Sequence, residues 1–570
     1  MSVVVGMAHV GGYASCTGAQ RRRSFKLSGR PVDGNWWPRR SRTREATPDV
    51  IPRMTRAALA VATLSTLALG AAAPAVADAA GTRTTFLLSR SADGGFPNGP
   101  SRNPAVSHDQ RIARLMAFES DASNIVPGDV NGQTDVFVVH RAGPWGQNGT
   151  DWSIGPTQLV SVGMNGEPAN GPSTQPSLDG DAHHEPHCVA FISAASNLVP
   201  GDTNGVPDAF VRDLRTNTTT RVSVGPNGEQ ANGPTTEVSI DGACERVAFT
   251  SQATNLALTR SARRGWRTAR TAQGNGLEQV YVHVLSGSGH DRGFTGLTFL
   301  ASASRSGAAA NADASEPAFA RNGKAVVFSS RASNLTPGDR NGQTDVFKRT
   351  FTRKHVKGTQ TLRFATTLVS TSANGRTAAN GSSSNPDVSD NGNFVAFQTT
   401  ASNILPGDHN GAQDIAEMDL DGDLRRKMPP TCSRIGAGRV VCPVSRSKAT
   451  SLGNGDSANP TISGAGEFVL FDSDATNLKE SHSIRDDANG VRDMFLWNRP
   501  TGNVSLESRS APLAPGQKGG YLSVPSERPA TSSRGNYVAF TSKGTEIDAV
   551  LRAPGQLAYD LVYVRYLGTE

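Results

Sequence analysis

Seven copies of one short strand motif constrain this chain more than any other feature. The motif is an aliphatic residue, a phenylalanine, one variable residue and a serine or threonine. It reads Val-Ala-Phe-Ile-Ser around Phe191, Val-Ala-Phe-Thr-Ser around Phe249 and Val-Val-Phe-Ser-Ser around Phe328. Equivalent residues are Phe118, Phe397, Phe471 and Phe540. The six intervals from Phe118 to Phe540 average about 70 residues, the period of a repeat architecture. Around each copy the same parts recur in order. A short segment such as Gln175-Pro176-Ser177-Leu178-Asp179-Gly180 comes first, then the Phe strand, then a loop like Ala195-Ser196-Asn197-Leu198-Val199-Pro200-Gly201-Asp202. A third strand (Asp208-Ala209-Phe210-Val211-Arg212-Asp213) and a last strand (Arg221-Val222-Ser223-Val224) complete the unit.

Short apolar strands separated by Gly, Asn, Asp and Pro read as antiparallel β structure. Four strands per unit, seven times over, predict an all-β chain folded as a seven-bladed β-propeller. One twisted sheet cannot bury both of its faces alone; packing it between two neighbours around a ring does so and leaves few open edges. The ends of the chain predict how the ring closes. Thr84-Thr85-Phe86-Leu87-Leu88-Ser89 matches the last strand of a unit, and Leu561-Val562-Tyr563-Val564-Arg565-Tyr566 matches the third. The N-terminal strand therefore completes the seventh blade beside the C-terminal one. A six-bladed ring with one degenerate unit is the alternative. Insertions near 141–156, 257–274, 351–364, 421–447 and 510–524 interrupt the spacing and read as mobile surface loops.

The 570 residues would ordinarily mean three or four domains. The repeat reduces them to one ring, 84–570, behind a leader. Residues 1–53 are Arg-rich without apolar periodicity and read as a non-native upstream extension. Residues 54–77 have a charged start, an Ala/Leu/Val run and Ala75-Val76-Ala77, the pattern of a secretory signal peptide cleaved after Ala77. The expected location is extracellular or periplasmic, with no stable membrane insertion. The net charge of +7 belongs to this leader. Residues 1–77 hold 11 Lys and Arg against 3 Asp and Glu, so the remainder has 46 basic and 47 acidic residues, net −1. That balance removes the main support for nucleic-acid binding, which depends on neutralising phosphates. Beyond the leader stand Cys188, Cys244, Cys432 and Cys442, for which three pairings exist. Cys432 and Cys442 share one insertion, which favours a local bridge. Cys188 and Cys244 precede the same element in neighbouring repeats and form either an inter-repeat bridge or two thiols.

The chemistry-bearing candidates are the loops between second and third strands. Five carry Asp-x-Asn-Gly-x-x-Asp: Asp129/Asn131/Asp135, Asp202/Asn204/Asp208, Asp339/Asn341/Asp345, Asp408/Asn410/Asp414 and Asp487/Asn489/Asp493. Unit three has Gln273 and Gln279 in the Asp places, and unit seven keeps only Asp560. Carboxylates and amides at alternate positions around a Gly turn are how a calcium loop is made. The spacing is shorter than an EF-hand and offers about three oxygens per loop, so water would complete the shell. Turn chemistry explains the same pattern, because Asn-Gly favours tight turns and Asp bonds its own backbone. His183, His184 and His187 beside Cys188 have transition-metal ligand types but sit in a polar turn.

The repeats resemble the TolB-like, WD-type propeller repeats of exported bacterial proteins. The resemblance rests on Ser-x-Asp-Gly…Val-Ala-Phe-x-Ser…Ala-x-Asn-Leu…Asp-x-Asn-Gly-x-x-Asp-Val-Phe and covers about 84–570. It implies a scaffold or binding module, or a propeller attached to a peptidase. No Gly-x-Ser-x-Gly elbow, phosphate-cradling loop or zinc-protease helix motif is present. The expected function is a secreted, monomeric, non-enzymatic module that binds a protein or polysaccharide partner. The alternatives are an extracellular polysaccharide lyase or hydrolase with a central-channel site, and a cell-envelope translocation scaffold.

Overall fold

Each Phe tag forms the second strand of an antiparallel sheet and is buried along its length. Leu115–Ser120, Cys188–Ser193, Arg246–Ser251 and Ala325–Ser330 have no exposed residue. Such burial needs a neighbour on both faces of the sheet. The computed structural model supplies it, with seven sheets in one ring. It describes residues 84–109, 112–142, 153–257, 266–268, 273–285, 294–356, 359–426, 428–447, 451–478, 489–511, 519–548, 551 and 556–568. The upstream extension and the signal sequence lie outside the described residues.

Blade one runs through Ser101–Val106, Leu115–Ser120, Asp135–Ala142 and Ser153–Leu159 in sequence order. Blades two to six follow the same order, beginning at Ser173, Thr235, Ala314, Ser383 and Ser457. Blade seven takes Ser526–Thr531, Tyr537–Gly544 and Gln556–Tyr566, and its fourth strand is Thr84–Leu87 from the other end of the chain. Thr84 pairs with Tyr566 and Leu87 with Tyr563, so the ring closes by the predicted exchange of ends. First strands of neighbouring blades touch all the way round, blade seven against blade one included. They are therefore the innermost strands, and the fourth strands lie toward the rim. The chain is a seven-bladed propeller.

The tag phenylalanine stacks on an aromatic of the third strand in six blades. Phe118–Phe137, Phe191–Phe210, Phe249–Tyr281, Phe328–Phe347, Phe471–Phe495 and Phe540–Tyr563 have ring centroids 5.7–5.9 Å apart. In blade five Phe397 faces Ala416 instead. The serine or threonine closing the tag has a separate task. Its hydroxyl accepts the N–H two residues on (Ala122, Ala195, Ala253, Ala332, Ala401, Ala475, Gly544). It also donates to a carbonyl just before its blade's first strand, such as Pro100, Pro172 or Pro234. The tag thus encodes core and corner together.

Three insertions are more ordered than mobile loops. In blade four, 351–364 continues the hairpin of Asp345–Val356 and Thr359–Leu368. Trp266–Thr268, from the 257–274 insertion, adds a parallel strand to that hairpin. The 421–447 segment contains the outer strand of blade five, Val440–Pro443, with Ser433–Arg434 paired to it. Both bridges form: Cys432–Cys442 within this segment, and Cys188–Cys244 from blade two to blade three.

Candidate cation sites in the second-to-third strand clasps

The Asp-x-Asn-Gly loop is built by its own side chains. Its first Asp takes the N–H of the asparagine, as Asp129, Asp339 and Asp408 do. The asparagine Oδ1 then accepts the N–H two residues further on, from Gln133, Val206, Gln343, Ala412 and Val491. The Gly follows in the left-handed region, φ 64–72° at Gly132, Gly205, Gly342, Gly411 and Gly490, where a side chain would be strained. The asparagine Nδ2 reaches across to the connection between blades. Asn131 donates to Ala169 O, Asn204 to Ala231 O, Asn341 to Ala379 O, Asn410 to Gly453 O and Asn489 to Leu522 O. These bonds place the loops and the blade-to-blade connections on one face, as the strand order requires.

The second Asp opens the third strand and is fully buried. Its Oδ1 accepts a hydroxyl from the end of the fourth strand: Ser161 on Asp135, Ser223 on Asp208, Ser370 on Asp345, Ser445 on Asp414 and Ser508 on Asp493. Each serine in turn accepts the N–H that follows the Asp. The other oxygen, Oδ2, takes Asn Nδ2 at Asp135, Asp208, Asp414 and Asp493. Each unit is therefore a clasp that ties second strand, third strand, fourth strand and the next blade. The serine was not singled out from sequence, although it recurs two residues after the fourth-strand position opposite the third-strand aromatic.

Burial dominates the electrostatics of these carboxylates. It pushes Asp135 up to about 6, Asp345 to about 7 and Asp414 to about 6, and a second aspartate nearby adds to each shift. Asp129, Asp202, Asp208 and Asp408 are raised by burial too, and Asp339 to about 6. Two ionised carboxylates side by side in a desolvated loop need a cation or a proton. Blade four shows this most sharply. Asp339 Oδ2 and Asp345 Oδ2 are both buried and neither makes a hydrogen bond. Asn341 donates to Ala379 O there, and its amide beside Asp345 offsets only part of the shift that burial causes.

The remaining loops depart from this pattern in two ways. In blade three Gln279 Oε1 accepts Ser302 Oγ, as the aspartates do, and Gln273 Oε1 accepts Ala257 N, so the clasp survives without charge. In blade seven the register sets Leu561 opposite Ser542, the aspartate place; Asp560 lies one residue before it and is not the equivalent. Ser89 still accepts the N–H of Val562. Asp487 lies outside the described residues.

No family model and no curated protein sequence matches the chain. Solved structures with a similar course exist. An acylaminoacyl peptidase of Pyrococcus horikoshii aligns at 10% identity and a TM-score of 0.38, over 78% of this chain and 50% of that one. This chain thus spans about half the length of that peptidase. A putative TolB from Agrobacterium tumefaciens aligns at 13% identity and 0.32, over 72% and 94%. The β-propeller domain of the Trilobed protease from Pyrococcus furiosus aligns at 10% and 0.30, over 72% and 96%. These likenesses concern the fold.

The channel carries polar residues that the sequence pattern did not mark. The third residue of the first strand has positive φ in six blades: Asn103, Gln175, Glu316, Asn385, Asn459 and Arg528, at 47–57°. Each precedes a proline and marks a break in strand register. A non-glycine there is uncommon and must be held by its surroundings. Side-chain oxygens of the preceding blade do the holding. Glu119 accepts Gln175 N, Glu237 accepts Glu316 N, Glu316 accepts Asn385 N, Gln398 accepts Asn459 N and Asp472 accepts Arg528 N. Where the acceptor is a first-strand Glu, a second-strand hydroxyl supports it: Thr250 for Glu237 and Ser329 for Glu316.

On the opposite face the loops between first and second strands converge on the axis. Gly180 N donates to Gly242 O, Gly242 N to Arg321 O, Asn322 N to Asp390 O, Asp390 N to Gly464 O and Gly464 N to Ser533 O. His108 of blade one reaches Asp390 of blade five, with Nδ1 3.0 Å from Oδ1. Those blades are not neighbours, so this contact crosses the channel end. The histidine group from the sequence sits beside this region. His187 Nδ1 lies 3.2 Å from Asp179 Oδ2, and His184 Nδ1 2.9 Å from Asp181 Oδ1. Cys188 and Cys244 approach Asp179 and His187, but their sulfurs are spent in the disulfide and are not thiolate ligands.

Proposed function

We propose that the chain is an exported, non-enzymatic propeller, a binding or scaffold module for a protein or glycan, with calcium held by the aspartate pairs of its clasps. The observation that carries the module reading is the use made of the channel's acids and amides. Glu119, Glu237, Glu316, Gln398 and Asp472 are spent on backbone N–H groups of the next blade. A catalytic acid or base must instead reach a substrate proton. The far end of the channel is spanned by His108 and Asp390. The face left for recognition is the clasp face, where loops are fixed by side-chain bonds and carry paired aspartates. Such a face favours cations and cationic partners. Export is supported by the leader pattern of 54–77 and by two disulfides, which persist in oxidising compartments.

The clasps fit calcium by their donor chemistry. The buried, unbonded Asp339 Oδ2 and Asp345 Oδ2 are hard oxygen ligands, and water would bring the shell to six or more. Bound calcium would supply the positive charge that the buried pair lacks. The asparagines act beside it as turn and clasp residues. The module reading is tested by incubating the purified chain with soluble polysaccharides and with chromogenic peptide anilides. No release of reducing ends or of the anilide is expected. Turnover that disappears on Glu316→Gln or Asp472→Asn would establish a channel enzyme instead.

A further inference from the structure

The calcium reading treats the charged clasps alike, but one of them already contains a cation. The fourth-strand residue opposite the third-strand aromatic is Leu159 in blade one, Leu300 in blade three, Leu368 in blade four, Leu506 in blade six and Leu87 in blade seven. Blade five has Pro443 there, opposite Ala416. In blade two the residue is Arg221, opposite Phe210. Its Nη1 lies 3.1 Å from Asp202 Oδ1 and 3.6 Å from Asp208 Oδ2, the two carboxylates of that clasp. The Arg221 side chain is only 10% exposed and Asp208 is wholly buried, so the charges meet away from water.

We propose that the Arg221 guanidinium is a built-in replacement for the metal in blade two, so that divalent cations enter the clasps of blades one, four and five and are excluded from this one. The proposal rests on the calcium reading above and adds to it which sites are open. Two independent observations support it. Where Leu368 replaces the arginine, in blade four, the same carboxylate pair has two buried oxygens without a hydrogen bond. Where the arginine is present, its guanidinium lies against both carboxylates as an ion pair, with Nη1 and Nε buried and making no hydrogen bond. A buried pair of like charges requires a counter-charge, and a guanidinium fixed by the fold satisfies that need at any metal concentration. A divalent ion entering blade two would face the arginine's own charge at contact distance. Blade two therefore has its counter-charge during folding and export, before any metal is met.

Equilibrium dialysis of the purified chain against radioactive calcium counts the ions directly. Arg221→Leu, which gives blade two the residue of blade one, is expected to bind one ion more per chain than the parent. Leu159→Arg, which carries the guanidinium into blade one at a half-buried position, is expected to bind one fewer. A parent that binds calcium and an R221L variant with the same count would overturn the replacement while leaving the calcium reading intact. If R221L does not fold, an unchanged count in L159R overturns it equally. A parent and an R221L variant that both bind nothing would remove the calcium reading and this inference with it. Binding by R221L alone would uphold the replacement and place the failure in the clasps of blades one, four and five.

Discussion

Truncating Leu87 and Leu88 together to alanine should destabilise the propeller by roughly 4–10 kcal/mol, from the usual cost of about 2–5 kcal/mol per buried leucine. The two side chains are 0% and 1% exposed and point to opposite faces of blade seven. Leu87 packs with Leu470, Met494 and Leu496 of blade six, and Leu88 with Val106 and Phe118 of blade one. One six-residue segment thus joins both cores that flank the closure. Its backbone adds the ladder to Gln556–Tyr566, and Leu88 N donates to Val562 O. Domains of ordinary stability have about 5–15 kcal/mol in total, so the double variant should be largely open at room temperature. Urea unfolding followed by tryptophan fluorescence measures the loss. A double variant within about 1 kcal/mol of the parent would mean that the ring does not depend on this strand.

The two disulfides should differ in what they contribute. Cys188–Cys244 closes 56 residues and Cys432–Cys442 closes 10. On the chain-entropy model the first restricts the unfolded chain by about 4 kcal/mol and the second by about 3 kcal/mol. The first also spans a boundary between blades, whereas the second lies within one blade's outer hairpin. Cys188→Ala with Cys244→Ala should therefore lower the thermal midpoint more than Cys432→Ala with Cys442→Ala. The reverse order in a scanning calorimeter would show that native-state packing, rather than loop closure, sets the contribution.

The strands and their closure were legible because they depend on local pattern. Seven tags at a mean spacing of about 70 residues showed the blade count, and Phe86-Leu87-Leu88-Ser89 betrayed itself as a displaced fourth strand. The clasp loops were legible as repeated acidic turns, but the roles of their side chains were not. Asn131 has an oxygen and an amide nitrogen, and a one-dimensional pattern does not say that Oδ1 serves the turn while Nδ2 reaches Asp135 and Ala169. The channel acids escaped notice because their acceptor role moves between strands. Glu119 and Gln398 supply it from second strands, Glu237 and Glu316 from first strands, and no single column of the repeat shows it. In the sequence Arg221 reads as an ordinary member of its strand. Only the register that sets it opposite Phe210 reveals that other blades have leucine or proline there. Asp560 failed for the related reason that its strand is entered one residue out of step.

On the calcium proposal, buried aspartate pairs in the clasps bind a divalent cation and so stiffen one face of a closed ring. Isothermal titration of the metal-free chain with calcium chloride tests it most directly. A saturable heat below millimolar calcium is expected. Calcium at 100 times the dissociation constant should raise unfolding stability by about 2.7 kcal/mol per site. Asp345→Asn should remove one site, because it deletes a charge from the pair whose two oxygens stand without hydrogen bonds. A titration with no heat at millimolar calcium, and a thermal midpoint unmoved by a chelator, would contradict the account and leave the clasps as hydrogen-bonded turns alone.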